Sequence, residues 1–208
     1  MNYLYYKKNK LFIVICALVL VLTLTVALIS SFWPSFEEQF FEFGLLGKDK
    51  KADGYYPNGN STLNVGSQVN WYIYIHNHLE NNQNVILKIK LLNSTMDLPN
   101  DKEHTPSPFI PILEFPLSLS VEDKLFVPFN WTSIEAIFQK NSTILKSMMI
   151  NDQMVEINVP ASNSFYRIVF ELWVQDQVSE EYKFGWESGE GFSSASIYIG
   201  FELSSSVD

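Results

Sequence analysis

Cysteine is almost missing from this 208-residue sequence: Cys16 is the only one. No disulfide can form within the chain, so packing and hydrogen bonds must hold it folded. Positive charge is also scarce. Three of the 14 basic residues, Lys7, Lys8 and Lys10, precede the first long apolar run, leaving eleven beyond it against 23 acidic residues, a net of −12. That balance argues against nucleic acid or anionic lipid as a partner of the acidic part, because both require a basic face. A Gly-x-Ser-x-Gly turn, a phosphate-cradling glycine loop followed by a helix pattern, and a repeat of fixed period are absent as well, which removes the commonest hydrolase and nucleotide-binding signatures.

Charge is missing altogether from Leu11 to Trp33, 23 residues dominated by Leu, Val, Ile, Ala, Phe and Thr. As a helix this run measures about 35 Å, against roughly 30 Å of bilayer hydrocarbon, so it reads as a transmembrane helix. It exceeds the apolar core of a signal peptide. The best cleavage triplet, Thr25-Val26-Ala27, lies inside the run, so length favours a retained anchor. The lysines ahead of it and the first acidic residue at Glu37 place residues 1–10 in the cytoplasm and 34–208 outside the cell. Phe32 and Trp33 form the exit-side aromatic belt, and Pro34 ends the helix. Cys16, inside the apolar run, is read as a small lipid-facing side chain.

What remains is rich in aromatic and β-branched residues that alternate. Val69, Trp71, Ile73 and Ile75 share one face of a strand from Gln68 to His78, and Val85, Leu87, Ile89 and Leu91 share one face of the next. Their spacing predicts a hairpin with one apolar and one wet face. Phe41, Phe43 and Leu45 mark a first strand. Residues 93–112 hold four prolines and little alternation, which suggests a crossover between sheets, with a functional loop as the alternative. Pro116 assigns the strand around Phe115 and Leu117 to an edge. A strand at Leu125–Trp131 precedes a helical turn at Thr132–Phe138. A hairpin is then expected about Asn151-Asp152-Gln153, a central strand at Tyr166–Val174 and a closing one at Ile197–Leu203. Eight or nine strands predict an all-β domain, an antiparallel β-sandwich of immunoglobulin type over residues 34–208.

Several short stretches carry a resemblance: Phe41-Glu42-Phe43-Gly44-Leu45-Leu46-Gly47, Tyr56-Pro57, Asn64-Val65-Gly66, Asn77-His78, Thr105-Pro106-Ser107-Pro108 and Phe170-Glu171-Leu172-Trp173. Together they resemble the archaeal family catalogued as domain of unknown function 1616. The resemblance implies an archaeal membrane protein with an immunoglobulin-like exported part, and it brings no catalytic residues.

Three sets of side chains are candidates for function. His76 and His78, two apart on a strand, share a face and can grip one copper or zinc ion, with His104 as a third ligand if its loop folds back; polar packing at a strand end is the competing reading. Glu187 and Glu190, beside Trp186 as a sugar-stacking platform, suit a glycosidase, against an ordinary solvated loop. Asn60, Asn93, Asn130 and Asn141 each begin a glycosylation triplet. The reading that follows is a single-pass cell-envelope protein whose outward sandwich binds envelope proteins or glycans, without catalysis, cofactor or nucleic acid. The alternatives are a metal- or solute-binding accessory subunit of a membrane complex, resting on His76 and His78, and an exported hydrolase.

Overall fold

A computed structural model of the chain describes residues 16–26, 28, 39–188, 191–192 and 195–205. It divides into two units, residues 1–37 and 38–208. In the first, residues 16–26 are helical. Among the described residues no helix is long and apolar enough to cross a membrane, and both ends of the Leu11–Trp33 run lie outside them.

The second unit is two facing β-sheets. The strands are β1 (Phe41–Leu46), β2 (Thr62–Asn64), β3 (Gln68–Asn77), β4 (Gln83–Asn93), β5 (Leu113–Leu119), β6 (Lys124–Gln139), β7 (Ser142–Ile150), β8 (Gln153–Ser162), β9 (Phe165–Gln175), β10 (Tyr182–Phe184), β11 (Glu187–Ser188), β12 (Gly191–Phe192) and β13 (Ser196–Ser204). One sheet has the order β1-β3-β6-β7-β8 and the other β2-β13-β9-β4-β5, with β10 beside β9; β11 and β12 pair as a small ribbon. Setting β3–β6 against β13–β9–β4 reproduces the B–E and G–F–C arrangement of immunoglobulin-like sandwiches, with the β7–β8 hairpin on the far side of β6. Tyr166, at the start of β9, is fully buried, and its hydroxyl donates to the carbonyl of Thr143 on β7 at 2.7 Å.

The alternating residues of both sheets meet in one aromatic core. Trp71 of β3 stacks on Phe129 of β6 at 6.1 Å and meets Phe170 of β9 edge-on at 6.3 Å; Phe129 in turn meets Phe170 edge-on at 5.1 Å. Trp131 continues the stack to Phe201 of β13 at 4.7 Å. All five rings are fully buried or nearly so, and edge-to-face pairs of this kind add to the burial of their large apolar area.

Four expectations are corrected. The β3–β4 hairpin does not form: β3 pairs with β1 and β6, whereas β4 pairs with β5 and β9. Both strands carry an apolar face, and the five-residue link buries Leu79 as it crosses from one sheet to the other. The proline-rich loop makes no crossover, because it joins β4 to β5, neighbours in one sheet. Nor is the outer face of that sheet wet throughout: Lys90, Leu92, Val169 and Glu171 at its centre are buried, and the loop bonds to two of them. Ser107 N–H donates to Glu171 Oε1 at 2.8 Å while its carbonyl accepts from Lys90 Nζ, and Lys90 and Glu171 pair at 2.9 Å. Finally, Thr132–Phe138 is strand rather than a helical turn. A bulge between Ser133 and Ala136 breaks the alternation there, which is why the stretch does not read as a strand in sequence.

Other features follow the sequence. Pro116 sits on the edge strand β5. Asn151 and Asp152, at φ 45° and 64°, make the mirror-image turn that a tight β7–β8 hairpin requires. Pro128 is tolerated inside β6 because β7 pairs only from Trp131 onward; beside Pro128 stands the Asn151 side chain, whose amide donates to the Pro128 carbonyl at 2.8 Å.

Two outcomes test this packing. Lys90→Met leaves the Glu171 carboxylate buried without its cation and should lower stability by about 3–5 kcal/mol, whereas Lys90→Met with Glu171→Leu should recover most of the loss, measured by urea unfolding followed through tryptophan fluorescence. Burial pushes the Tyr166 hydroxyl up to about 12 from its ordinary 10. The folded state therefore holds a proton that the unfolded chain gives up, so this contribution is complete below pH 10 and is lost as pH rises toward 12. Tyr166→Phe should be less stable at neutral pH by about 1 kcal/mol and show a shallower alkaline decline.

Candidate metal centre

The two histidines sit where three chain segments converge. On β3, side chains alternate: Ile73 and Ile75 enter the core, while Tyr74 and His76 face outward with His78 just beyond the strand. Strand β1 runs antiparallel alongside, placing Glu42 directly opposite His76. Phe40 faces His78, its ring stacked on the imidazole at 4.4 Å, and the His78 N–H donates to the Phe40 carbonyl at 2.9 Å. The third segment is the β5–β6 turn, which delivers Glu122.

Asn77 holds that turn in place. Its buried side chain donates to the carbonyls of Asn81 and Ser120, each at 3.0 Å, and accepts from Leu79 N–H at 3.0 Å. Its backbone N–H donates to Asp123 O at 3.1 Å, and its carbonyl accepts from Glu122 N–H at 2.9 Å. One residue thus ties the end of β3 to both neighbouring turns.

The imidazoles of His76 and His78 lie with centroids 3.6 Å apart, between two carboxylates. Glu42 Oε2 is 3.1 Å from His76 Nδ1 and 3.7 Å from His78 Nε2. Glu122 stands on the other side, Oε2 at 3.1 Å from His76 Nε2 and Oε1 at 3.4 Å from His78 Nδ1. His76 is only 3% exposed although it points away from the core, because these groups cover it. Hydrogen bonds from His76 and then Tyr74, whose hydroxyl donates at 2.9 Å, hold the Glu42 carboxyl below the usual carboxylate range. Burial, followed by that bond to Glu42, raises the Tyr74 hydroxyl. Lys124 of β6 pairs with His76 from the opposite side, and its side chain is exposed.

One ligand atom each from Glu42, His76 and His78 come within 4.8 Å of one another. Two imidazoles and a carboxylate form a donor set suited to zinc or copper, not to calcium or magnesium. Sequence reading found the histidines but not the two glutamates. Glu42 was legible as the outward residue between Phe41 and Phe43, had its strand been paired with β3; Glu122, in a turn at φ 61°, leaves no such signal. His104 does not join the cluster: it ends the short 3-10 turn Asp101–Glu103 in the left-handed region, on the proline-rich loop.

The other candidates disperse. Trp186 is 6% exposed and meets Phe41 edge-on at 5.2 Å, so it is core and offers no platform for a sugar ring. Glu187 begins β11, and Glu190 lies outside the described residues. Asn60, Asn130 and Asn141 are exposed. Asn93 is buried, its amide donating to Pro160 O at 2.7 Å and its oxygen accepting from Thr95 and Met96. A cleft of about 470 Å³ opens between the proline-rich loop and β8, lined by Leu91, Met96, Phe109, Ile110 and Val155 among others, with Ile110 87% exposed.

No protein-family model matches the chain, so the resemblance to the domain of unknown function 1616 family gains no support from that comparison. No curated protein matches it either. Among solved structures, the chain is similar to the CARDB domain of the PF1109 protein from Pyrococcus furiosus, solved in complex with di-metal ions, at 9% identity over 81% of this chain and 91% of that one, with a TM-score of 0.38. The reading of the site rests on its own geometry.

Tyr74→Phe removes one of the two hydrogen bonds that stabilise the ionised Glu42. The Glu42 carboxyl should then titrate at higher pH than in the parent chain, as read by carboxyl-carbon NMR.

Proposed function

We propose that the chain is a single-pass cell-envelope protein, with residues 1–10 in the cytoplasm and 34–208 outside, whose sandwich acts by binding rather than by catalysis. The observation that carries the anchor is the surface of helix 16–26. Leu18, Val19, Leu20, Val21 and Leu22 follow one another and are each more than half exposed. Five successive positions pass completely around a helix, so it is apolar on every side, a surface that suits lipid and not water. Its hydroxyls need no water: Thr23 Oγ1 donates to Leu20 O at 2.9 Å and Thr25 Oγ1 to Val21 O at 2.6 Å. The uncharged sequence continues on both sides to Leu11 and Trp33, and the lysines before it favour an inward N-terminus.

The binding role is supported by the sandwich, which presents loops on a rigid frame. Of the two partner classes, envelope proteins fit better than glycans, because Trp186 is buried while Ile110 stands exposed beside an apolar cleft. Exposed Asn60, Asn130 and Asn141 suit an exported domain.

Two measurements check the topology. Alkaline carbonate should leave the full chain in the membrane pellet, and protease added to intact cells should remove a tag fused after Asp208. Release into the supernatant, or a tag protected until the cells are opened, would overturn the proposal.

A further inference from the structure

The arrangement of Glu42, His76, His78 and Glu122 goes beyond a tethered binding module. We propose that Glu42 Oε2, His76 Nδ1 and His78 Nε2 bind one divalent transition-metal ion of the zinc and copper(II) class, and that Glu122 orients both imidazoles from behind.

Geometry is the first support. Bonds of about 2.0–2.1 Å at tetrahedral angles separate neighbouring ligand atoms by about 3.3 Å. Glu42 Oε2 already stands 3.1 Å from His76 Nδ1 and 3.7 Å from His78 Nε2, on either side of that spacing. The ion would take the place of the hydrogen shared between Glu42 and His76. The cross-strand pairing of Glu42 with His76 and the stacking of His78 on Phe40 set the donors side by side in advance.

A second, independent observation selects the Glu42 side. His78 Nε2 is buried and, among the described residues, has no hydrogen-bond partner. Such an atom is costly to bury unless something binds it. A metal ion between it and Glu42 satisfies it, whereas polar packing at a strand end leaves it as it is.

The third support lies behind the rings. A metal-bound histidine commonly donates its other N–H to a carboxylate, which sets the tautomer and the ring orientation. Glu122 stands in that place for both rings, hydrogen-bonded to His76 Nε2 at 3.1 Å and with Oε1 3.4 Å from His78 Nδ1. Asn77 in turn holds the turn that carries Glu122. Glu42 is about half exposed, so the three-ligand set keeps an open position toward solvent for water or a donor from a partner. The nearby cation, Lys124, is exposed and long enough to extend away from the ion.

The test uses the full chain, stripped by a chelator and titrated with zinc sulfate in a calorimeter, with bound zinc counted by mass spectrometry after desalting. The parent chain and His104→Ala should each take up one ion per chain. Glu42→Gln and His78→Ala should lose it, and Glu122→Gln should keep it with about 10- to 100-fold weaker affinity. Tryptophan fluorescence of the buried Trp71 and Trp131 confirms that each variant is folded; Glu42, about half exposed, is the substitution least able to disturb the core. Zinc should also raise the Tm of the parent and not that of Glu42→Gln. A parent chain that binds no zinc, or a folded Glu42→Gln that binds it like the parent, overturns the proposal. So does loss in Glu122→Gln with retention in Glu42→Gln, which would put the ion on the wrong side of the rings. Because the readout is stoichiometry on purified protein, it stands or falls apart from the membrane topology.

Discussion

The contact of Trp71 with Phe129 and Phe170 is the interaction on which the domain depends. It joins both sheets at the centre of a sandwich that has no disulfide in its place. Where a cross-linked sandwich staples its sheets covalently, this one relies on large rings that fill the space between them, continuing through Trp131 to Phe201. Close packing of this sort leaves few ways to shift one sheet against the other, and that rigidity keeps the outer-face side chains in register.

The proline-rich loop is a second organising device. By length and composition it invites a functional reading, yet part of it is structural: Ser107 lies over the Lys90–Glu171 pair and satisfies both charges, while Trp173 donates its ring N–H to Glu171 at 3.1 Å. A buried ion pair adds little net stability, but its hydrogen-bond geometry is demanding, so it specifies where the loop must sit. The remainder of the loop forms one wall of the cleft beside β8 and leaves Ile110 exposed. Cover and exposed surface are thus built from one segment.

The histidine site shows how an edge becomes a ligand set. A strand pair contributes Glu42 opposite His76; stacking on Phe40 turns His78 back beside its neighbour; and a turn tied to Asn77 closes the far side. Each element is ordinary. Their meeting at the end of β3 is what buries a histidine on an outer face.

Sequence by itself determined most of the long strands, the acidic and disulfide-free character of the domain and the apolar N-terminal run. Each of these is written in composition or in a period of two, as at Val69 to Ile75 and Tyr166 to Val174, and the two-sheet class follows from them. It also marked His76 and His78 as sharing a face. Beyond the β7–β8 hairpin, tertiary structure alone decided which strand pairs with which. The periodicity of β3 and β4 is the same whether they form a hairpin or face each other across the core, and only the fit of the rings between the sheets separates those cases. For the same reason the partners of the histidines were out of reach, since Glu42 and Glu122 are 34 and 46 residues from His76 and meet it only once the strand order is set. Trp186 and Asn93 carry the same lesson: exposure belongs to the packed molecule, so a residue suited to binding sugar or carrying glycan in sequence is spent in the interior.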